Sequence, residues 1–348
     1  MKAEFNNISI SKIGTAVPEN SLDLMSLTNL GTERELKTII KTTGISSVRV
    51  AKDNMTSSDL CIDAATNILG DSENKEVDAL IFVSQTRDYH LPQTSFIIQN
   101  RMNLRKDIFC LDIPLGCSGY INGLFQASLL LQIPKIKKVL LLAGDTSTKM
   151  INSKDRATRM VFGDGGSATV LEKGNDTINF NIQSDGSGAD SLIIKSGAFR
   201  YPSNEKSKIP LLMEEGNYRS SEDIYMGGVD IFNFALREVP TIVDEHLRDL
   251  NKTKDNIDLL VLHQANKFMV NYLRKIIKIN KEKVPIEVDN YGNTGPCSIP
   301  LVLSIKGNNY KKENKLKSVM MCGFGVGLSW GTAMTNLENT IFYKPVEI

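Results

Sequence analysis

Short apolar runs alternate along this chain with longer stretches in which apolar residues recur at helical spacing. That alternation predicts an α/β protein whose strands and helices follow one another. The runs also recur. DALIFVSQT (78–86) is matched by DLLVLHQAN (258–266), VLLLAGD (139–145) by SVMMCGF (318–324), and GCSG (116–119) by GPCS (295–298). Gln85 falls opposite Gln264, Gly116 opposite Gly295 and Gly144 opposite Gly323, all at a separation of about 179 residues. Matches in order at one separation predict two similar halves, residues 1–175 and 176–348, with the boundary after GSATVLEKGND. After the apolar run ending at Leu262, Phe268, Met269, Tyr272, Leu273, Ile276 and Ile277 form one face of an amphipathic helix. The segment 196–224 is rich in charge, Ser and Pro. It is expected to be a loop over the entrance of the second half.

Composition narrows the class. The chain has 348 residues, with 41 Lys plus Arg against 40 Asp plus Glu, a net charge of +1. No basic excess points to nucleic acid and no acidic tail to disorder. The start, MKAEFNNISISKIG, lacks the apolar core of a signal peptide, and no apolar run is long enough for a membrane span. The five cysteines, Cys61, Cys110, Cys117, Cys297 and Cys322, have no CxxC spacing. They read as reduced thiols, and the protein is expected in the cytoplasm.

In an α/β sheet the ends of strands and the starts of helices carry the chemistry. Four turns are therefore expected to converge: those at Cys117, His263, Asn293 and the glycines of 323–327. Cys117 follows the extended segment IFCLDIPL and opens a run of small and apolar residues. A helix N-terminus there would favour its thiolate, the nucleophilic form; the other reading is a packing cysteine. His263 ends an apolar strand and opens the amphipathic helix, and its equivalent in the first half is Ser84, so the fold does not require it. It is either a functional or a structural imidazole. Asn293, in DNYGNTGPCSIP, is either a turn residue or a neutral donor to a developing negative oxygen. CGFGVGLSWG (322–331) fits neither a dinucleotide nor a P-loop spacing, but its glycines, Gly325 among them, allow backbone N–H groups close to a ligand.

IPLGCSGYINGL, RATRMVFGDGGSATVL, YMGGVDIFNFALREVP, LHQANKFM, YGNTGPCSIPLVL and GFGVGLSWG occur in that order. Together they resemble β-ketoacyl-acyl-carrier-protein synthase III over nearly the whole chain. The resemblance implies the thiolase fold, two similar halves in a five-layered α-β-α-β-α arrangement. It implies a Cys117–His263–Asn293 triad in which Cys117 takes an acyl group from acyl-CoA or acyl-ACP. Backbone N–H groups of Cys117 and Val326 would hold the oxyanion. His263 and Asn293 would then stabilise the enolate from decarboxylation of malonyl-ACP, giving a β-ketoacyl thioester without cofactor or metal. It further implies a homodimer and an acyl carrier protein as partner, in fatty-acid initiation or a specialised acyl pathway. Thr38 and Thr42 stand where primary-metabolism members carry the Trp and Arg of the coenzyme A site, while Arg156 matches a second arginine of that site. Leu91 takes the position that reaches the partner's acyl pocket, and an acyl group other than acetyl is expected. Lys267, Arg274 and Lys278 share one helical face, with Asn271 between the first two, either as a solvated face or as a docking strip for the acidic carrier. The alternative activity is acyl transfer from Cys117 to an alcohol or amine. A thiolase would use a second cysteine, near Cys322, and a hydroxymethylglutaryl-CoA synthase a catalytic glutamate, to which no residue is assigned. A carrier-binding module without activity is the non-enzymatic alternative.

Overall fold

The apolar runs become strands buried on both faces. The computed structural model describes residues 1–213 and 216–348. Its main strands are β1 (Lys2–Val17), β2 (Ala79–Val83), β3 (Phe109–Ile113), β4 (Lys138–Asp145), β5 (Gly165–Ser184), β6 (Leu259–Leu262), β7 (Val319–Gly325) and β8 (Ser329–Thr335). They join in the order β6-β7-β8-β5-β4-β2-β3, with β1 alongside β5. β2 is parallel to β4, which is antiparallel to β5. β6 is likewise parallel to β7, which is antiparallel to β8. The recurrence seen in the sequence is thus a recurrence of strand pattern.

β5 belongs to both ends of this network. Residues 165–172 pair with β4, and residues 179–184 pair with β8. β1 follows it throughout, with Ile8–Ala16 opposite residues 166–173 and Lys2–Asn6 opposite residues 177–181. The register steps between Asn6 and Ile8, where Asn7 adopts a left-handed φ of 61°. Residue 175 lies in that step.

The main helices are α1 (Glu33–Thr43), α2 (Ser57–Ile68), α3 (Thr94–Arg101), α4 (Gly119–Leu130), α5 (Gly228–Asp249), α6 (Lys267–Ile277) and α7 (Ser298–Lys312). Strand side chains alternate between two helix layers, as the period of two requires. Ala79, Ile81 and Val83 of β2 face α4 and α7, while Leu80 and Phe82 face α2 and α3. In the second half Leu259 and Val261 face the same central helices, while Leu260 and Leu262 face α5 and α6. The result is five layers, α-β-α-β-α, with α4 and α7 in the middle. This explains why α4 carries almost no charge: it has a sheet on either side.

Within the segment 196–224, residues 211–212 pair with 218–219, and the flanking residues 192–193 pair with 225–226. Glu214 and Glu215, within the expected loop, lie outside the described residues. No described helix is long and apolar enough to cross a membrane.

Candidate active site

Cys117 sits in the turn between β3 and α4, two residues before the first helical residue, and is 7% exposed. Its sulfur faces the end of β7. A Cβ added at Gly325 would lie 2.7 Å from Cys117 Cβ and 3.0 Å from Sγ, so only glycine lets the two turns meet this closely. The backbone N–H groups of Cys117 and Val326 point at Sγ and favour its anion. Burial outweighs them, and the nearby Asp145 carboxylate adds to it; together they push the thiol up to about 12. This corrects the expectation from the helix start. The resting group is the thiol, because loss of hydration outweighs a dipole contribution of about 0.3–2 kcal/mol.

His263 follows the last residue of β6, and its N–H donates to the Cys322 carbonyl at 2.8 Å. The ring stands edge-on to Phe324, with centroids 5.5 Å apart. Nδ1 lies 2.7 Å from Ser298 Oγ at the start of α7, and the same oxygen accepts from the Gln264 N–H at 3.4 Å. Both contacts are satisfied when the Ser298 hydroxyl donates to Nδ1, which leaves the imidazole proton on Nε2. Burial depresses the pKa to about 3, so the ring is neutral near pH 7. The rest of the HQAN motif is local architecture. Gln264 Nε2 donates to the Leu262 carbonyl at 2.6 Å and its Oε1 accepts from the Glu287 N–H at 3.0 Å. Asn266 caps α6 by accepting from the Met269 N–H at 2.8 Å.

Asn293 is fixed through its backbone. Its N–H donates to the Val161 carbonyl at 2.8 Å, and its carbonyl accepts from Gly163 at 3.0 Å. Side-chain Oδ1 accepts from the Gly295 N–H at 3.0 Å. This sets the amide orientation and leaves Nδ2 as a donor without a protein partner among the described residues.

Cys117, His263 and Asn293 line one small cavity of about 100 Å³, closed by Phe324, Met226 and Ile231. An outer cavity of about 670 Å³ shares Val161, Met226 and Gly228 with it and opens to the surface past Ile39, Thr43, Arg156 and Tyr225. A third cavity of about 260 Å³ shares Cys117, Phe162 and Leu192 with the small one and also reaches the surface, past Gln85 and Ile194. Together the three lead from the surface to the thiol.

The other expected residues fall at different distances from this path. Gly325 lines the small cavity and Val326 the third one. Arg156 lines the mouth, with Nη1 3.5 Å from Glu35 Oε1 and from the Leu30 carbonyl. Thr38 and Thr42 are turned away, their hydroxyls donating to the Arg34 and Thr38 carbonyls of their own helix; Ile39 and Thr43 face the mouth instead. Leu91 is 87% exposed and lines none of the three cavities of its own chain. Lys267 is exposed, with its stem against Gly44, and Lys278 is exposed past the end of α6. Arg274 is half-buried, with Nη1 3.5 Å from the Ile279 carbonyl. Cys322 is fully buried in the outer core and does not reach the path. No described cluster of His, Cys, Asp or Glu could hold a metal. The sequence reading missed Ser298, Phe324 and Asp145. Ser298 carried a signal, since it ends the GPCS recurrence; the other two look like ordinary strand residues.

The 3-oxoacyl-(acyl-carrier-protein) synthase III family model matches residues 111–186, and the model of its C-terminal part matches residues 247–337. A Campylobacter jejuni protein described as a putative 3-oxoacyl-(acyl-carrier-protein) synthase 3 is 33% identical over 97% of this chain and 96% of its own. The β-ketoacyl-(acyl-carrier-protein) synthase III of Clostridium tetani is 35% identical over 85% of this chain and 88% of its own. The crystal structure of a 3-oxoacyl-(acyl-carrier-protein) synthase from Burkholderia xenovorans superposes with a TM-score of 0.90 at 34% identity, covering 100% of this chain and 99% of that one. The five layers are thus those of the thiolase fold, and the chain belongs to the 3-oxoacyl-(acyl-carrier-protein) synthase III family.

Proposed function

We infer that the protein is a condensing enzyme that loads an acyl group on Cys117 and extends it with a malonyl thioester. The observation that carries this reading is one small cavity lined by a thiol, a neutral imidazole and an amide whose Nδ2 has no protein partner among the described residues. In the first step the Cys117 sulfur bonds to the carbonyl carbon of an acyl-CoA or acyl-ACP, and the carbon–sulfur bond to the carrier breaks. The proton of the thiol ends on the departing carrier thiol. The N–H groups of Cys117 and Val326, which face Sγ in the resting chain, serve the oxyanion. In the second step a malonyl-ACP enters by the outer cavity. His263 Nε2–H and Asn293 Nδ2–H donate to its thioester oxygen. Carbon dioxide leaves, the enolate carbon bonds to the acyl carbon, and the carbon–sulfur bond to Cys117 breaks. A neutral imidazole suits this role, since it adds no unpaired buried charge.

The functional unit is a homodimer in the cytoplasm. Support comes from β3, which lies at the end of the strand order with Phe109 47% exposed, and from the 87% exposed Leu91, suited to entering a second copy. All five thiols are unpaired, in keeping with a reducing compartment. Intact-protein mass spectrometry after incubation with acyl-CoA and acyl-ACP panels, followed by malonyl-ACP, tests the reading. A mass shift on Cys117, lost in Cys117→Ser, that converts to a β-ketoacyl product is expected. Transfer of the acyl group to an alcohol or amine, without carbon dioxide release, would replace it with the acyltransferase reading.

A further inference from the structure

The third cavity has a mixed lining. Met150, Phe162, Leu192, Ile193, Ile224 and Val326 are its apolar residues. Gln85, Asp145 and Ser147 are its polar ones. Asp145 is 1% exposed and Ser147 4% exposed, so neither is a solvated surface group. The Asp145 carboxylate is unevenly served. Oδ1 accepts from Ser84 Oγ at 2.9 Å, the Gln85 N–H at 2.7 Å, the Thr86 N–H at 3.2 Å and Thr86 Oγ1 at 3.1 Å. Oδ2 has no donor among the described residues, and neither Ser147 Oγ nor the Gln85 amide has a hydrogen-bond partner there. The Gln85 amide lies over the turn before Cys117, since a Cβ at Gly116 would be 1.9 Å from its Oε1. The Asp145 backbone ends β4, so the four donors on Oδ1 hold the side chain at the cavity wall.

Oδ2 and Ser147 Oγ keep only a trace of exposed surface, and covering it with a group that offers no hydrogen bond is costly. An acyl chain attached to Cys117 extends into the chamber the thiol shares with these groups. A plain alkyl chain would displace water from Oδ2 and leave it unserved. We propose that the acyl group this enzyme loads carries a hydroxyl on its short chain, received by Asp145 Oδ2 and Ser147 Oγ, with the chain's carbon face on Phe162 and Leu192. A neutral hydroxyl fits better than an ammonium group, because the rest of the chamber is apolar and a full charge is far harder to desolvate. The chamber, about 260 Å³, suits a short acyl group. This inference rests on Cys117 being the acylated residue.

The test is a competition for covalent loading, read by intact-protein mass spectrometry. Butyryl-CoA is mixed in equal amounts with 3-hydroxybutyryl-CoA, and separately with 4-hydroxybutyryl-CoA. The wild type is expected to load at least one hydroxyacyl group about 10- to 100-fold in preference to butyryl, the range a hydrogen bond to a charged acceptor supports. Asp145→Asn keeps an acceptor for the four donors but turns the free oxygen into a donor, and should reduce that preference to about threefold or less. Ser147→Ala, a smaller change, should reduce it partly. Equal loading of all three thioesters by the wild type, or a preference for butyryl, would overturn the pocket proposal while leaving Cys117 as nucleophile. So would a hydroxyacyl preference unchanged in both variants. No loading of Cys117 by any acyl-CoA or acyl-ACP would remove the proposed function itself, and this inference with it.

Discussion

Cys117, His263 and Asn293 each owe their state to something distant in the chain. The thiol of Cys117 is raised to about 12 because the turns at 162 and 325 close over it and Asp145 lies near. The thiolate is the attacking form, and far below its pKa its fraction rises tenfold per pH unit. Loading of Cys117, followed by stopped-flow release of coenzyme A, should therefore keep accelerating by about tenfold per unit from roughly pH 6 to pH 9. A plateau near neutrality would show a thiolate already formed. Asn293→Ala should leave loading largely intact, since the oxyanion donors are backbone N–H groups. Carbon–carbon bond formation should fall by about 100- to 1,000-fold, the loss usual for one preorganised donor. His263→Ala should damage the same step at least as much. The double variant should fall short of the product of the two, because both donors serve one oxygen. With His263 depressed to about 3, the condensation rate should show no histidine titration near pH 6.5. Full additivity, or a loading defect equal to the condensation defect, would contradict these roles.

At the scale of elements, the HQAN motif joins the end of β6 to the start of α6. Asn266→Ala removes the cap on the Met269 N–H and should lower stability to denaturant by about 1 kcal/mol. It should also loosen the backbone beside His263, lowering condensation more than loading. An unchanged unfolding midpoint would contradict the capping role. Leu124 of α4 is fully buried between the two sheets, and Leu124→Ala should cost about 2–5 kcal/mol by the same measurement. These elements were legible in the sequence for a plain reason. A strand between two helix layers must be apolar on both faces, and a central helix must be nearly free of charge. The recurrence at about 179 residues then exposed the strand pattern of both halves. What the sequence concealed depends on rotation and burial. Thr38 and Thr42 differ from Ile39 and Thr43 by one position, about 100° around α1, and only the docked helix shows which pair faces the mouth. Arg274 lies on the face expected for docking, but the chain turns at Lys278 and offers it the Ile279 carbonyl. The raised thiol of Cys117 was illegible because its burial comes from segments far away along the chain.

Across the whole molecule, three cavities that share lining residues lead from the surface to the thiol. An exposed edge strand and an exposed Leu91 lie outside that path. Light scattering at micromolar concentration should find a homodimer, and Phe109→Asp should weaken it by placing a charge in the joined edge. A fully active monomer would contradict the assembly. The central claim is that one cavity performs both loading and decarboxylative condensation. It is tested most directly by single turnover of the preloaded acyl-enzyme with malonyl-ACP, measuring carbon dioxide and acyl-Cys117 together. Each acyl group leaving Cys117 should be matched by one carbon dioxide and one β-ketoacyl thioester. Loss of the acyl group without carbon dioxide, or carbon dioxide released while Cys117 stays acylated, would contradict it.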